Sequence, residues 1–115
     1  MRLAIVGSRG YPDEEQVRAF VHALTPDTII VSGGAAGVDS WAADQARKDG
    51  LQVEAFLPDY ELFGNHAPLV RNSKIAAAAD EMIAFWDGES RGTKDAITKM
   101  LNAGKSVTVR VKRTK

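Results

Sequence analysis

The stretch IIVSGGAAGVDSW, residues 29–41, decides the fold. A short apolar run rich in β-branched residues (29–31) is followed at once by the small residues of 32–37 and then by a helical pattern. Such a run, bounded by glycine, is typical of a strand buried on both faces, and the helix after it can cross back over the sheet to a parallel strand. The stretch therefore predicts one unit of an α/β protein.

Similar patterns alternate along the rest of the chain. Apolar runs at 3–6 and 82–86 predict two more buried strands, whereas apolar and polar residues alternate in 51–57 and 105–112, as in half-exposed edge strands. Placing the alternating strands at the edges gives the order 3-2-1-4-5 in a five-stranded, mainly parallel sheet. We therefore predict a Rossmann-like, doubly wound α/β fold with helices on both faces, as a single domain over residues 1–115.

Helical spacing predicts four crossover helices. The capping-box pair Asp13 and Gln16 opens the first, the second covers 38–49, and the third covers 68–79. Residues 58–67 are expected to form the longest irregular connection. The fourth helix is expected to bury an apolar stripe of Ala96, Ile97, Met100 and Leu101.

The composition excludes several classes of protein. With no cysteine, disulfides, thiolate metal sites and cysteine nucleophiles are absent. Fifteen basic and fifteen acidic residues give a formal net charge of zero, which argues against a dedicated nucleic-acid-binding protein. No apolar run approaches the ~20 residues that cross a bilayer, and Ser8 and Arg9 interrupt the N-terminal one, so we expect a cytoplasmic protein without membrane contact.

The predicted topology fixes where a ligand would bind. The strand order reverses between the first and fourth strands, and open α/β sheets bind ligands at such a switch point, beyond the carboxyl ends of the strands. The loops at this position are 7–12, 33–37 and 87–93. We expect these three loops to form one site.

The loop after the second strand is the main candidate for binding an anion. Gly33, Gly34, Ala35 and Gly37 would let main-chain N–H groups approach a phosphate at the positive end of the following helix. Asp39 lies in the first turn of that helix, where it could accept a hydrogen bond from a ligand hydroxyl or only stabilise the helix dipole. Both interpretations of Asp39 remain open.

The other two loops supply further candidates. Gly7, Ser8 and Arg9 place a hydroxyl and a guanidinium where a phosphate or carboxylate would be held. Asp87 could accept from ribose hydroxyls. Residues that could either cap the fourth helix or contact the ligand are Ser90, Gly92 and Thr93.

Other polar residues have a structural explanation as well as a functional one. His66 could act as a general acid or base, but no orienting carboxylate is evident, and His22 and His66 lack metal-ligand spacing. We therefore assign no catalytic residue and no metal. The basic residues of the tail could contact nucleic acid, although edge strands often carry such charges to prevent edge pairing. They are Arg110, Lys112, Arg113 and Lys115.

Four ordered blocks of sequence resemble the SLOG superfamily of Rossmann-like proteins. They are GSRG (7–10), SGGAAGVDSWAADQA (32–46), RNSKIAAAAD (71–80) and SRGTKDAITKMLNAGKSV (90–107). The resemblance is greatest to the short, stand-alone YspA-type proteins of bacteria and phages, whose function is unknown. It implies a domain that recognises nucleotides or nucleotide-derived signals.

The same blocks are similar to two better-known relatives. The likeness to the Rossmann core of the DNA-processing protein DprA implies an anion-binding face carrying Gly33, Gly34, Gly37 and Arg71, the last followed by Asn72. The likeness to the LOG phosphoribohydrolases, which cleave nucleotide N-glycosidic bonds, includes Arg71 and the Gly92-Thr93 pair. The glutamate of their motif, however, falls on Ala96 here.

Taken together, the sequence favours a binding module or sensor for a small nucleotide-type ligand, with no other cofactor. One alternative is a nucleoside monophosphate N-glycosidase in which Asp95, Asp87 or Glu89 replaces the missing glutamate. Asp95 is turned by about 100° from position 96 and would replace it poorly. The other alternative is single-stranded DNA binding. Association into a homo-oligomer is left open.

Overall fold

A single sheet of parallel strands organises residues 1–113, the part of the chain that the computed structural model describes. The strands are β1 (Arg2–Gly7), β2 (Ile29–Ser32), β3 (Gln52–Ala55), β4 (Glu81–Trp86) and β5 (Ser106–Val111). Their spatial order is β3-β2-β1-β4-β5, and each adjacent pair is parallel. The predicted fold class and strand order are confirmed.

Helices cover both faces of this sheet. They are α1 (Glu14–His22), α2 (Val38–Lys48), α3 (Tyr60–Phe63), α4 (Ala67–Ala78) and α5 (Arg91–Asn102), with a 3-10 turn at Gly64–His66. Buried side chains of α1 and α2 pack on one face, and those of α4 and α5 pack on the other. Within residues 1–113, no helix is both long enough and apolar enough to cross a membrane.

The strand β1 shows why the central apolar runs are continuous. Leu3 and Ile5 belong to the core under α1 and α2, whereas Ala4 and Val6 belong to the core under α4 and α5. Successive side chains of a strand point to opposite faces, so a strand covered on both faces needs apolar residues at every position. The edge strands β3 and β5 are covered less completely and remain largely exposed.

Two details of the sequence-based prediction are wrong. Leu101 was placed in the buried stripe of α5 but is 58% exposed, because it lies about 100° around the helix from the buried Met100. The connection 58–67 is also not irregular, since it contains α3, the 3-10 turn and the start of α4. The four-residue α3 is too short for helical periodicity to reveal it. The predicted bounds of α2 and α4 agree with the structure to within one residue at each end.

Candidate functional site

The carboxyl ends of β1, β2 and β4 border an open cleft of about 540 Å³. All the predicted site residues except Ser8 and Gly37 line it. Those brought together are Gly7, Arg9, Gly33, Gly34, Ala35, Asp39, Arg71, Asn72, Asp87, Ser90, Gly92 and Thr93. Parallel strands all end at the same edge of the sheet, so loops far apart in sequence meet there.

The helix α2 begins at this cleft without a side-chain cap. Its N-cap residue is Gly37, which has no side chain to accept hydrogen bonds from the first turn. Ala36 and Asp39, on either side of the helix start, both line the cleft. The first N–H groups of an α-helix have no partner within the helix, and the helix dipole makes that end positive. The start of α2 is therefore suited to an anion.

The buried side chain of Asp39 contacts the main chain of the glycine loop. Its side chain is 5% exposed, and Oδ2 accepts a hydrogen bond from the main-chain N–H of Ala35 at 3.1 Å. Oδ1 is buried and has no hydrogen-bond partner among residues 1–113. Burial raises the pKa of Asp39 to about 6, although the Ala35 N–H and the positive charge of Arg71 favour the ionised form. Asp39 thus supports the loop, and one carboxylate oxygen is left unpaired beside the cleft.

Arg71 reaches from α4 to the same loop. Its Nη1 donates to the carbonyl oxygen of Gly33, and its Nε donates to Oδ1 of Asn72 at 3.0 Å. An arginine carries five N–H groups, so further donors remain for a ligand in the cleft. A Cβ atom at Gly33 would lie 2.6 Å from Arg71 Nη1 and 2.9 Å from Asp39 Oδ2. A side chain at position 33 would therefore displace the guanidinium of Arg71 or the carboxylate of Asp39.

Asn72 lines the cleft, but its side chain is used within the protein. It is 5% exposed, and its Nδ2 donates to the carbonyl oxygen of Gly92 at 3.2 Å and to Asp95 Oδ2 at 3.0 Å. Its Oδ1 accepts from Arg71, as described above. Asn72 therefore ties α4 to the start of α5 and orients the guanidinium of Arg71.

Ser8 lies behind the wall of the cleft, contrary to the expected arrangement. It is 1% exposed, and its Oγ accepts from the main-chain N–H of Asp87 at 3.1 Å and lies 3.3 Å from Thr93 Oγ1. Gly7 precedes it at the cleft surface, whereas the Ser8 hydroxyl is turned towards Thr93 and the N–H of Asp87. Ser8 joins the end of β1 to the loop after β4.

Gly37 also serves to hold loops together. Its φ is +80°, and a Cβ atom there would lie 2.8 Å from the carbonyl oxygen of Arg9. The backbone of the first loop therefore packs directly on the start of α2. The side chain of Arg9 is exposed at the cleft and makes no hydrogen bond or ion pair with any other residue in the described range.

Asp87 shapes the third loop. Its Oδ1 accepts from the main-chain N–H groups of Glu89 at 2.9 Å and Ser90 at 2.8 Å. These hydrogen bonds lower the pKa of Asp87, so it is ionised at neutral pH. The Ser90 side chain then caps α5 by accepting from the N–H of Thr93. Ser90 therefore has the helix-capping role, which is one of the two roles expected for it from the sequence.

The carboxylates considered for hydrolysis do not converge in the cleft. Asp95 Oδ2 accepts from Asn72 and from Lys99 Nζ at 2.7 Å, outside the cleft lining. Glu89 is exposed and also outside it. Ala96 is buried in the cleft wall at the position of the motif glutamate. Of the three proposed substitutes, Asp87 alone lines the cleft.

The remaining polar candidates lie elsewhere. His66 ends the 3-10 turn, is exposed and does not line the cleft. Lys112 pairs with Asp13 at 2.7 Å, and the guanidinium of Arg110 lies 6.0 Å from the ring centre of Phe20, so these tail residues face α1. Arg113 lies against Gly88 in the loop after β4, since a Cβ atom at Gly88 would be 2.9 Å from its Nη1, and Lys115 lies outside the described residues. Within 1–113 no cluster of three or more histidine and acidic residues could hold a metal ion.

Sequence reasoning missed the contribution of the segment after β3. Pro58 and Tyr60 line the cleft, together with Pro68 at the start of α4. β3 also ends at the carboxyl edge of the sheet, so the loop after it could have been included on topology alone. The remaining lining residues not predicted are Val6, Gly10, Ala36, Ile75 and Ala96.

Comparisons with solved structures show which fold this is. DNA processing protein A (DprA) from Streptococcus pneumoniae matches with a TM-score of 0.82 at 20% sequence identity, over 94% of this chain and 49% of that one. DprA from Helicobacter pylori matches with a TM-score of 0.68 at 21% identity, over 98% of this chain and 66% of that one. The chain thus spans about half and about two thirds of these DprA chains, and the likeness is one of fold.

Comparison with protein families covers the first two of the four sequence blocks, GSRG (7–10) and SGGAAGVDSWAADQA (32–46). No curated protein matches the sequence. The family model for the YspA, cpYpsA-related SLOG family matches residues 1–63, which is more than half of the 115 residues. The expected resemblance is confirmed: this chain belongs to the YspA, cpYpsA-related SLOG family.

Proposed function

We propose that this protein is a binding module for a nucleotide or a nucleotide-derived ligand, whose phosphate is held between the start of α2 and Arg71. One observation carries the proposal. The uncapped helix start, the glycine loop and the guanidinium of Arg71 border the same cleft. Main-chain N–H groups at a helix start and an arginine fork are two recurring ways to bind phosphate.

The charges around the cleft support an anionic ligand. Arg9 and Arg71 contribute positive charge, and the guanidinium of Arg9, exposed at the cleft, makes no hydrogen bond or ion pair with residues 1–113. Of the two lining carboxylates, Asp87 accepts hydrogen bonds from its own loop, and Asp39 is buried with a pKa of about 6. The volume of about 540 Å³ lies within the range of about 300–1,000 Å³ that is usual for small-ligand pockets.

Binding without turnover is favoured over hydrolysis. An N-glycosidase needs a carboxyl group positioned at the scissile bond, and Ala96 stands where the LOG motif has its glutamate. Asp95 is engaged by Asn72 and Lys99 outside the cleft. Asp87 is the remaining carboxylate, and its hydrogen bonds hold the loop after β4.

Single-stranded DNA is the second candidate ligand. The structure of H. pylori DprA is described as showing a unique single-stranded DNA binding mode, and its fold is shared. A strand of DNA would place a phosphate in the same cleft. The overall charge of zero and the placement of Arg110 and Lys112 against α1 favour a single nucleotide over a strand. Of the described tail cations, Arg113 lies instead against Gly88 in the loop after β4.

Two measurements test the proposal. The first is native mass spectrometry of the purified protein, and the second is calorimetric titration with nucleoside monophosphates and with an oligothymidylate. We expect a nucleotide that co-purifies with the protein or binds it in the titration. DNA binding through several phosphates would weaken steeply between about 50 and 200 mM salt, whereas a single phosphate gives a shallow dependence. Absence of nucleotide binding in both measurements would contradict the proposal, and steep, tighter binding of the oligonucleotide would favour the second candidate.

A further inference from the structure

The segment that follows β3 borders the cleft beside the glycine loop. The N–H of Phe56 donates to the carbonyl oxygen of Ser32 at 2.8 Å, which extends the pairing of β2 and β3 by one step. The next side chain, Leu57, lies against Gly34, since a Cβ atom at Gly34 would be 2.3 Å from Leu57 Cδ2. The path of this segment over the open end of β2 is therefore fixed by the sheet.

The short helix α3 then fixes the position of Tyr60. Asp59 is its N-cap: the carboxylate accepts from the N–H of Leu62 at 3.1 Å, and the carbonyl oxygen accepts from Phe63 at 3.0 Å. Tyr60 is the first residue of this helix and lines the cleft. Hydrogen bonds on both sides of Tyr60 thus hold its backbone in place.

Tyr60 is an exposed aromatic residue in the lining of the cleft. It is 56% exposed, and its side chain makes no hydrogen bond to another residue among those described. Leu57, which is 67% exposed, and Pro58 adjoin it in the chain. We call Leu57, Pro58 and Tyr60 the apolar rim. Large apolar side chains that remain exposed at a concave site usually mark a surface that a ligand covers.

The cleft therefore has two chemically different parts. One part carries the cations Arg9 and Arg71 and the start of α2, and the other carries Pro58 and Tyr60 of the apolar rim. A nucleotide has the same two parts, an anionic phosphate and a planar base with apolar faces. Aromatic side chains stack on bases with little regard to their identity, because every base has a π-face.

We infer that Tyr60 stacks on the base of the bound nucleotide while the start of α2 and Arg71 hold its phosphate, an inference that rests on the proposed function. The ligand is then a nucleoside phosphate with an intact heterocyclic base. A sugar phosphate without a base satisfies only the polar part of the cleft. Tyr60 is thereby a residue that determines specificity.

Calorimetric titration of the protein with adenosine monophosphate and with ribose 5-phosphate tests the inference. We expect the wild-type protein to bind adenosine monophosphate about tenfold more tightly, because stacking on one aromatic ring contributes about that factor. Tyr60→Ala should lose this preference and bind both compounds with the affinity of ribose 5-phosphate. Tyr60→Phe, which keeps the ring, should retain the preference.

Leu62→Ala is the matched control, because Leu62 is on the same short helix, is 70% exposed and does not line the cleft. It should bind both compounds like the wild type. Circular dichroism checks that each variant is folded. A preference that survives Tyr60→Ala, or one lost equally in Tyr60→Phe, would overturn stacking and leave the phosphate site intact. Failure of the wild type to bind either compound would instead contradict the proposed function, and the inference with it.

Discussion

The guanidinium of Arg71 donates a hydrogen bond to the carbonyl oxygen of Gly33, a residue 38 positions earlier in the chain. This contact joins α4 to the glycine loop after β2, across the carboxyl edge of the sheet. The same guanidinium is oriented by Asn72 and interacts electrostatically with the buried Asp39. A ligand anion in the cleft would therefore meet an arginine that is already positioned.

Replacing this arginine tests its role in binding. We expect Arg71→Ala to weaken binding of adenosine monophosphate by about 10- to 100-fold, because charge-assisted hydrogen bonds to the phosphate are lost. Arg71→Lys should give an intermediate affinity, since a lysine keeps the charge but not the planar fork. Calorimetric titration measures both, and circular dichroism checks the fold. Unchanged affinity in Arg71→Ala would remove this residue from the site.

Arg9 provides a cleaner test of charge, because its side chain makes no contact that the fold needs among residues 1–113. We expect Arg9→Ala to weaken nucleotide binding by about tenfold and to leave the melting temperature unchanged. Arg47→Ala is the matched control, because Arg47 is an exposed arginine on α2 outside the cleft. Equal effects of the two substitutions would indicate only a general electrostatic attraction.

Gly33→Ala should disturb the site by steric overlap with the side chain of Arg71, without changing any charge. The added methyl group would lie 2.6 Å from Arg71 Nη1, so the guanidinium must move, and we expect a loss of affinity similar to that in Arg71→Ala. Gly50→Ala is the control for a general loss of stability. Gly50 has a φ of +78°, lies outside the cleft and has open space around it. This variant should unfold at a lower temperature, by an amount corresponding to about 1 kcal/mol, and bind normally.

Asp39 should make stability depend on pH in a defined window. Its pKa is about 6 in the folded protein and 3.8 as the ordinary value, so the folded state binds the proton more tightly. The resulting stabilisation is complete below about pH 4 and is lost as the pH rises through 6, a change on the order of 3 kcal/mol. Denaturant unfolding across this window measures it.

Asp39→Asn should flatten this part of the profile relative to the wild type, because the residue no longer titrates. Subtracting the free energy of unfolding of Asp39→Asn from that of the wild type at each pH removes the contribution of other groups that titrate in the same window. Asp44→Asn is the control: Asp44 is half-buried, and hydrogen bonds from Arg18 and Lys48 lower its pKa. This substitution should change the pH dependence of the free energy of unfolding only below the window in which Asp39 titrates. Parallel profiles for wild type and Asp39→Asn would show that burial does not raise the Asp39 pKa.

Turnover of nucleotide provides a direct check on the alternative enzymatic function. We expect no adenine to be released when the protein is incubated with adenosine monophosphate, because Ala96 provides no carboxyl group in the cleft wall. Chromatographic detection of free base measures this. Release in proportion to protein concentration, abolished by Asp87→Asn, would make the protein a hydrolase.

Topology explains why so much of the candidate site was predictable. Buried and alternating strand patterns determined the strand order, and the order determined which loops meet at the switch point. The inward position of Ser8 and the support that Gly37 gives to Arg9 depend on contacts between loops, which are not visible in a linear pattern. Tyr60 was missed because the four-residue α3 that positions it is too short to produce periodicity.

The sequence by itself determined the α/β class, the order of the strands and the glycine-rich character of the loops at the carboxyl edge of the sheet. Those properties follow from local patterns of apolar, β-branched and glycine residues. Only the tertiary structure decided which polar groups remain available to a ligand. Asn72 and Asp95 have the same chemistry as any ligand-binding amide or carboxylate, yet they are paired with each other, whereas the guanidinium of Arg9 has no partner among the described residues. The reason is physical: a polar group that satisfies a neighbour in the fold is no longer free to bind, and neighbours are set by packing.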